Sequence, residues 1–459
     1  MTPPKPQARA DQVSLWGYLR LFRRDILSAQ PARLYRAWMA EFRTPFFRSY
    51  LCNDPELVRR VLNDQPDDFP KSDRISRGLR PLLGDSVFLT NGEQWKQQRR
   101  IIDPAFEGGR LRDTFSAMWD ASLAAVERLG ATNGPTEIEQ ITSHAAADVI
   151  FRTLFSVPIE DALASRVFTE FQAHQRSQPI LNLATVIGPK WLPRLFRRET
   201  TVTARRIRRL ISRMVHERQD QIDRGTAPDD LATKIMTTAD PLTGQRFSER
   251  EMVDQVAIFF LAGHETSASA LAWALYLLAT HPEWQDRVAA ESQTLLPEFG
   301  AVSGLKVTRD VFRETLRLYP PVPMMVRETT CPHQFRDRDI PKGAQIVLSP
   351  WHLHRHERIW SAPDDFDPGR WQTEEGRSCA RDAFIPFSSG PRVCTGAGFA
   401  MIEGPLLLAQ LVRAYRFDAI ADRVPVPQAH LTVRAADGIW LSVTPRAGLI
   451  SGQEPDADR

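Results

Sequence analysis

A chain built mainly from helices has to interrupt them between Tyr319 and Pro391, where prolines recur at Pro320, Pro321, Pro323, Pro341, Pro350, Pro363, Pro368 and Pro386. Each removes a backbone N–H and clashes with the turn before it, so helices end at such positions. Outside this stretch apolar residues recur every three or four positions, as in Pro55 to Asn63, Arg112 to Leu129, Ala204 to Arg224 and Gly404 to Tyr415. Strand-like runs such as Gln345 to Leu348 and Ile439 to Val443 are short. The expected fold is mainly α with a minor β portion. So long an irregular section inside it calls for an organising partner such as a bound prosthetic group.

Of the 459 residues, 42% are hydrophobic and 25% charged, ordinary globular usage that provides for a sizeable core. No repeat, low-complexity tract or Gly/Ser linker divides the chain, so one large domain is expected over residues 16–448. A flexible N-terminal segment, 1–15, and a polar tail, 449–459, are expected to flank it. The balance of 59 basic against 56 acidic residues, a net charge of +3, argues against a nucleic-acid partner.

Cys52, Cys331, Cys379 and Cys394 are widely spread, fitting neither a disulfide framework nor a structural zinc site. Residues 1–12 lack the pattern of a signal peptide, and a reducing cytoplasm is the expected setting. The most apolar long stretch, Val256 to Ala279, is broken at its middle by His264, Glu265, Thr266 and Ser267. It reads as a buried helix, and no transmembrane anchor is expected.

One cysteine stands apart. Phe387-Ser-Ser-Gly-Pro-Arg-Val-Cys394-Thr-Gly396 fits F-x-x-G-x-R-x-C-x-G. Five fixed letters give a chance match on the order of 10⁻⁴ in a chain of this length. This segment resembles the haem-binding loop of the cytochrome P450 family, and the likeness runs from about Trp95 to the C-terminus. The resemblance implies a single haem-enclosing domain of the cytochrome P450 fold, with heme b (iron protoporphyrin IX) as cofactor and Cys394 as the axial iron ligand. A helix starting just after Cys394 would aim backbone N–H groups at the thiolate. Gly390, Gly396 and Gly398 would permit tight backbone and a close approach of the macrocycle, Phe387 would shield the sulfur, and Arg392 would meet a haem propionate. Thr395 stands where the family usually has an aliphatic residue.

Ser248-Glu-Arg-Glu251 is a capping-box pattern ahead of a helical run that continues to Thr280. Counting back from Thr266 by three, four and seven places Gly263, Ala262 and Phe259 on one face, a notch of small residues on which a flat ring fits. Ala262-Gly-His-Glu-Thr266 resembles the family's oxygen-activation motif. Thr266 is expected to bond back to the Ala262 carbonyl, and Glu265 to relay protons.

The resemblance extends to Trp95 and Arg99 as propionate ligands, with Arg327 as another, and to a buried network of Glu314, Arg317 and Arg370. His352, His354 and His356 look like a metal cluster but match a structural segment of the family. Phe88, Phe259, Met324 and Met325 are expected to make an apolar, adaptable substrate pocket, flanked by residues 74–90 and about 170–215. Arg74, Arg77 and Arg80 read as solvated rather than as a carboxylate anchor, and the arginines between Ala204 and Arg213 as the wet side of a helix. The motif dialect resembles fatty-acid and alkane hydroxylating members.

The expected function is a haem-thiolate monooxygenase that inserts one atom of dioxygen into a lipophilic small molecule. A separate ferredoxin or flavodoxin, with its reductase, would supply electrons at the cysteine side near Lys96, Arg100, Arg110, Arg112 and Arg381. A peroxide-driven oxygenase and a non-catalytic haem sensor are the alternatives, and the intact Glu265 and Thr266 weigh against the first.

Overall fold

The computed structural model describes residues 2–43, 47–107, 109–130, 132, 134–177, 198–429 and 431–446. The tail 449–459 and residues 178–197 of the substrate-flanking segment lie outside them.

Helices dominate, and the longest runs over Glu249–Thr280. Both halves of the capping box at its start form: the Ser248 hydroxyl accepts from the Glu251 N–H, and the Glu251 carboxylate accepts from the Ser248 N–H at 2.9 Å. At 1.5 Å per residue its 32 residues span about 48 Å. It lies buried among the helices Ile138–Phe155, Arg198–Asp223, Lys306–Leu318 and Ala397–Ala414. Among the described residues the one helix long and apolar enough to cross a membrane is Ala397–Ala414, not the 256–279 stretch. It forms part of the main core through Leu406, Leu407, Leu408 and Leu411.

Eleven short strands are described: β1 (Met39–Arg43), β2 (Arg48–Cys52), β3 (Pro135–Glu137), β4 (Met325–Glu328), β5 (His333–Phe335), β6 (Arg338–Ile340), β7 (Gln345–Leu348), β8 (Tyr415–Ala419), β9 (Pro427–Ala429), β10 (Val433–Ala435) and β11 (Trp440–Pro445). The largest sheet has the order β1-β2-β7-β4, with β7 parallel to β2 and antiparallel to β4. β7 coincides with the expected strand. Its position inside the sheet explains its apolar run, since Ile346 and Leu348 are fully buried in a second core beneath the sheet.

The proline-rich section is irregular as expected, holding β4 to β7, single turns at Pro350–Leu353 and Pro368–Gln372, and the helix Glu374–Ala383. Its three histidines do not converge. The Ser349 hydroxyl meets His352 Nδ1 at 2.8 Å, His354 Nε2 accepts from the Ile385 N–H at 2.9 Å, and His356 stacks on Trp38. The N-terminal residues lie along the body, where the Pro4 carbonyl accepts from the Tyr319 hydroxyl at 2.8 Å.

Candidate active site

The segment Phe387 to Gly396 folds into a tight loop closed by the Cys394 N–H on the Phe387 carbonyl at 2.9 Å. Gly390 has φ +69°, and a Cβ there would stand 2.1 Å from the Leu62 carbonyl oxygen, so the loop can take this path against the neighbouring turn only with glycine. At Gly398 a Cβ would instead press on Leu111 at 3.1 Å. At Gly390 this is the tight backbone that the resemblance implied, and at Gly398 the neighbouring helix leaves little room for a side chain. The helix Ala397–Ala414 starts immediately after, with Gly396 as its N-cap. Cys394 is exposed. Surrounding protein still pushes its thiol pKa up by desolvation, while the Gly396 N–H and the charge of Arg99 pull it down.

Beside this loop several cations crowd together. Arg392 lies 5.0 Å from the ring of the buried Trp95, donates to the Pro66 carbonyl at 2.6 Å and leaves its buried Nε unpartnered. Arg327, on β4, is buried, also with an unpartnered Nε, and burial followed by the Arg392 charge brings its pKa down to about 10. Arg99 donates to Asp103 at 2.8 Å and to the Val393 carbonyl at 2.7 Å, tying its helix to the residue before the cysteine.

Sequence reasoning missed a fourth member, Lys71. Its Nζ donates to the carbonyls of Val87 at 2.6 Å and Thr90 at 3.0 Å. Burial, with Arg327, Arg392 and Arg99, pushes its pKa down to about 6. Asp67, 3.7 Å from Arg392, is largely solvated and offsets little of this charge. Uncompensated buried cations are strongly unfavourable, so the cluster demands anions. The two propionates of a haem supply that charge, and the unpartnered Nε atoms of Arg327 and Arg392 are donors for them. The residues present thus fit the group.

On the long helix Phe259, Ala262, Gly263 and Thr266 are accessible, while the rest of that stretch is buried. The expected face is the open one. The Thr266 hydroxyl donates to the Ala262 carbonyl at 2.5 Å. A Cβ at Gly263 would also meet the tip of the Ile150 side chain at 2.4 Å.

Glu265, one residue round the helix, is buried. The Thr432 hydroxyl donates to it at 3.4 Å and the Arg434 guanidinium lies 3.7 Å away. Burial raises its pKa and Arg434 works against the rise. His264 is held by Ser143 at 2.6 Å, and burial brings its pKa down to about 3, so it stays neutral. Ser267 donates to Glu403 at 2.7 Å. Burial pushes that carboxyl up to about 8, and its second oxygen has no partner. Glu403 had one sequence signal, the single acid in the mainly apolar helix after Cys394. Arg434 and Thr432 had none.

The network of Glu314, Arg317 and Arg370 forms in full. Arg317 grips Glu314 through Nε at 3.0 Å and Nη2 at 2.8 Å, and Arg370 Nε reaches the same carboxylate at 3.0 Å. The remaining donors take the carbonyls of His354, Pro363, Asp365, Ser361 and Ala362. One network thereby stitches the proline-rich section to the helix Lys306–Leu318. Phe387 packs with Phe312 and Leu316 of that helix.

The four apolar pocket candidates are only partly gathered. Phe259, against Phe106, and Met324 both border the main core, whereas Met325 packs under the sheet. Successive residues along an extended segment point to opposite sides, which separates the two methionines. Phe88 is 44% exposed.

The arginines read as solvated also divide. Arg77 and Arg80 pair with Asp73 and Asp85, whereas Arg74 is buried beside Phe47. Arg205, Arg206, Arg209 and Arg213 are exposed as expected, but Arg208 turns inward to Asp254 at 2.6 Å. The basic cysteine-side surface is largely neutralised: Arg100 pairs with Asp240 and Glu93, Arg110 with Asp113 and Asp229, and Lys96 with Asp67.

A helical fold that presents a cysteine loop on one side and an accessible small-residue notch on a long helix defines a haem-thiolate protein, and the profile of the Cytochrome P450 family matches residues 40–441. The chain belongs to that family; it is a cytochrome P450 monooxygenase with heme b as its cofactor. It is 32% identical over 418 residues to the cyclooctat-9-en-7-ol 5-monooxygenase of Streptomyces melanosporofaciens, covering 88% of each chain. To human cytochrome P450 4A11 it is 31% identical, covering 84% of this chain and 78% of that one. The crystal structure of the cytochrome P450DA heme domain shares its fold, with a TM-score of 0.79 and 24% identity over 97% of this chain and 98% of the other.

Proposed function

We propose that the chain hydroxylates a lipophilic small molecule in the cytoplasm, with electrons delivered by a separate acidic ferredoxin or flavodoxin. The observation that carries this reading is the open face of Ala262, Gly263 and Thr266 in the middle of a buried helix, backed by the buried acid Glu265. Bound heme, ligated by the Cys394 thiolate, supplies the activation of dioxygen.

The chain's own groups position and protonate. Lys71, Trp95, Arg327 and Arg392 would hold the heme carboxylates, and Arg99 fixes the cysteine loop by its bond to Val393. Thr266 keeps a hydroxyl at the open face, donating to the Ala262 carbonyl. Glu265 holds a proton beside the Thr432 hydroxyl, and the partly exposed Arg434 guanidinium sets how readily it is released. Phe259 and Met324 give the guest an apolar surface, which favours a substrate with a hydrocarbon skeleton. The relative named for an unsaturated alcohol, cyclooctat-9-en-7-ol, supports that class. None of the four cysteines is in a disulfide, which suits a reducing compartment.

The donor is expected to dock near Arg112, which has no carboxylate partner among the described residues and adjoins Leu111, packed against the start of the cysteine helix. The test is a screen of terpenoid alcohols, fatty acids and alkanes by difference spectrum, followed by turnover with an acidic ferredoxin and its reductase. Hydroxylated product that depends on the donor supports the proposal. Equal product from hydrogen peroxide alone overturns it.

A further inference from the structure

The turn at Pro66–Asp68, whose Pro66 carbonyl accepts from Arg392, and the segment leading into β5 bring an acid, a thiol and an imidazole together. One ligand atom each from Asp68, Cys331 and His333 lie within 4.8 Å of one another, all half-buried. Cys331 Sγ and His333 Nε2 are 3.4 Å apart. Zinc bonds of about 2.3 Å to sulfur and 2.0 to 2.1 Å to nitrogen, opened at the tetrahedral angle, put the two donor atoms about 3.6 Å apart. The pair already has that separation. We propose that Asp68, Cys331 and His333 form a zinc site, with water in the fourth position.

The surroundings hold these side chains in place. The Asp68 carbonyl accepts from the Thr330 N–H at 3.0 Å and from its hydroxyl at 3.2 Å, which locks the turn onto the segment carrying the thiol. The His333 ring stacks on Phe69 at 4.4 Å, and the Gln334 carbonyl accepts from Arg60 at 3.1 Å. Most of the ordering that a metal site needs is therefore made by the fold. One thiolate, one imidazole and one carboxylate are a borderline donor set, which suits zinc better than magnesium or calcium. Binding displaces the thiol proton to the buffer as the zinc–sulfur bond forms, with no change of oxidation state. The metal would staple β5 to the turn whose Pro66 carbonyl accepts from Arg392.

The experiment is calorimetric titration of the heme-loaded protein, stripped with EDTA, with zinc chloride alone. One equivalent should bind, with proton release and a raised unfolding temperature. Cys331→Ser and His333→Gln should each lower the affinity at least 100-fold, and Asp68→Asn about tenfold, while the carbon monoxide spectrum stays that of the parent. X-ray absorption at the zinc edge of the parent protein tests the site without any variant: one sulfur at about 2.3 Å together with nitrogen and oxygen supports it. A zinc shell without sulfur, or Cys331→Ser binding as tightly as the parent, overturns it.

Discussion

The Arg434 guanidinium stands 3.7 Å from the Glu265 carboxylate, where β10 packs against the long helix. The acid is buried, while the Arg434 side chain is 37% exposed and also reaches Gln175. A buried carboxyl beside the open face of the helix thus has a partly exposed charge as its neighbour.

Arg434 lowers the pKa that burial raises on Glu265. In Arg434→Gln the carboxyl should hold its proton to higher pH, and the apparent pKa in the pH profile of product formation should move upward, with heme content unchanged. A profile identical to the parent would remove Arg434 from the proton route.

Thr266→Ala loses the hydroxyl at the open face while leaving the Ala262 carbonyl in place. Heme and substrate binding should persist, whereas product formation falls about 10²-fold and reducing equivalents appear as hydrogen peroxide. Quantifying peroxide and product per NADPH consumed decides it.

Glu403 is held near pKa 8 by burial, against an ordinary value of 4.5. Its folded value lies above the unfolded one, so its contribution to stability is intact below pH 4.5 and is lost at about 1.4 kcal/mol per pH unit as pH rises toward 8. Glu403→Gln should therefore match the parent in denaturant unfolding near pH 4.5 and exceed it at pH 8. Equal stability at both pH values would mean that the carboxyl is ionised in the fold.

Glu314→Ala leaves Arg317 and Arg370 buried without their shared carboxylate. The expected loss is about 3–5 kcal/mol, measured by urea unfolding of the heme-loaded protein, together with a lower heme yield on expression.

Arg112→Glu places an acid where a donor would dock. Reduction by an acidic ferredoxin should slow about tenfold at low salt, and the difference should shrink once the ionic strength passes 0.1 M, where the Debye length is about 10 Å. Arg100 is a poor choice for this test, because it neutralises the buried Asp240.

Features written in neighbouring residues are legible in the sequence itself. The capping box at Ser248, the helix to Thr280 and the Thr266 bond to Ala262 depend on contacts a few positions apart, so local spacing carries them. The loop around Cys394 is legible as a pattern but takes its path against the distant Leu62 turn and Arg99. The network of Glu314, Arg317 and Arg370 is legible only through family resemblance, since an acid and an arginine three residues apart are common on exposed helices.

What the tertiary structure alone decided is burial and long-range company. Lys71 became part of the cation cluster because β4 and the Cys394 loop bring Arg327 and Arg392 beside it. Glu265 acquired Arg434 from a strand 169 residues away, and Met324 and Met325 parted to different cores because neighbouring residues of an extended chain face opposite ways. Asp68 met Cys331 and His333 only when the turn docked on β5. Sequence spacing fixes which side chains share a helix face or a loop. Charges from distant segments interact only once packing has removed the water between them.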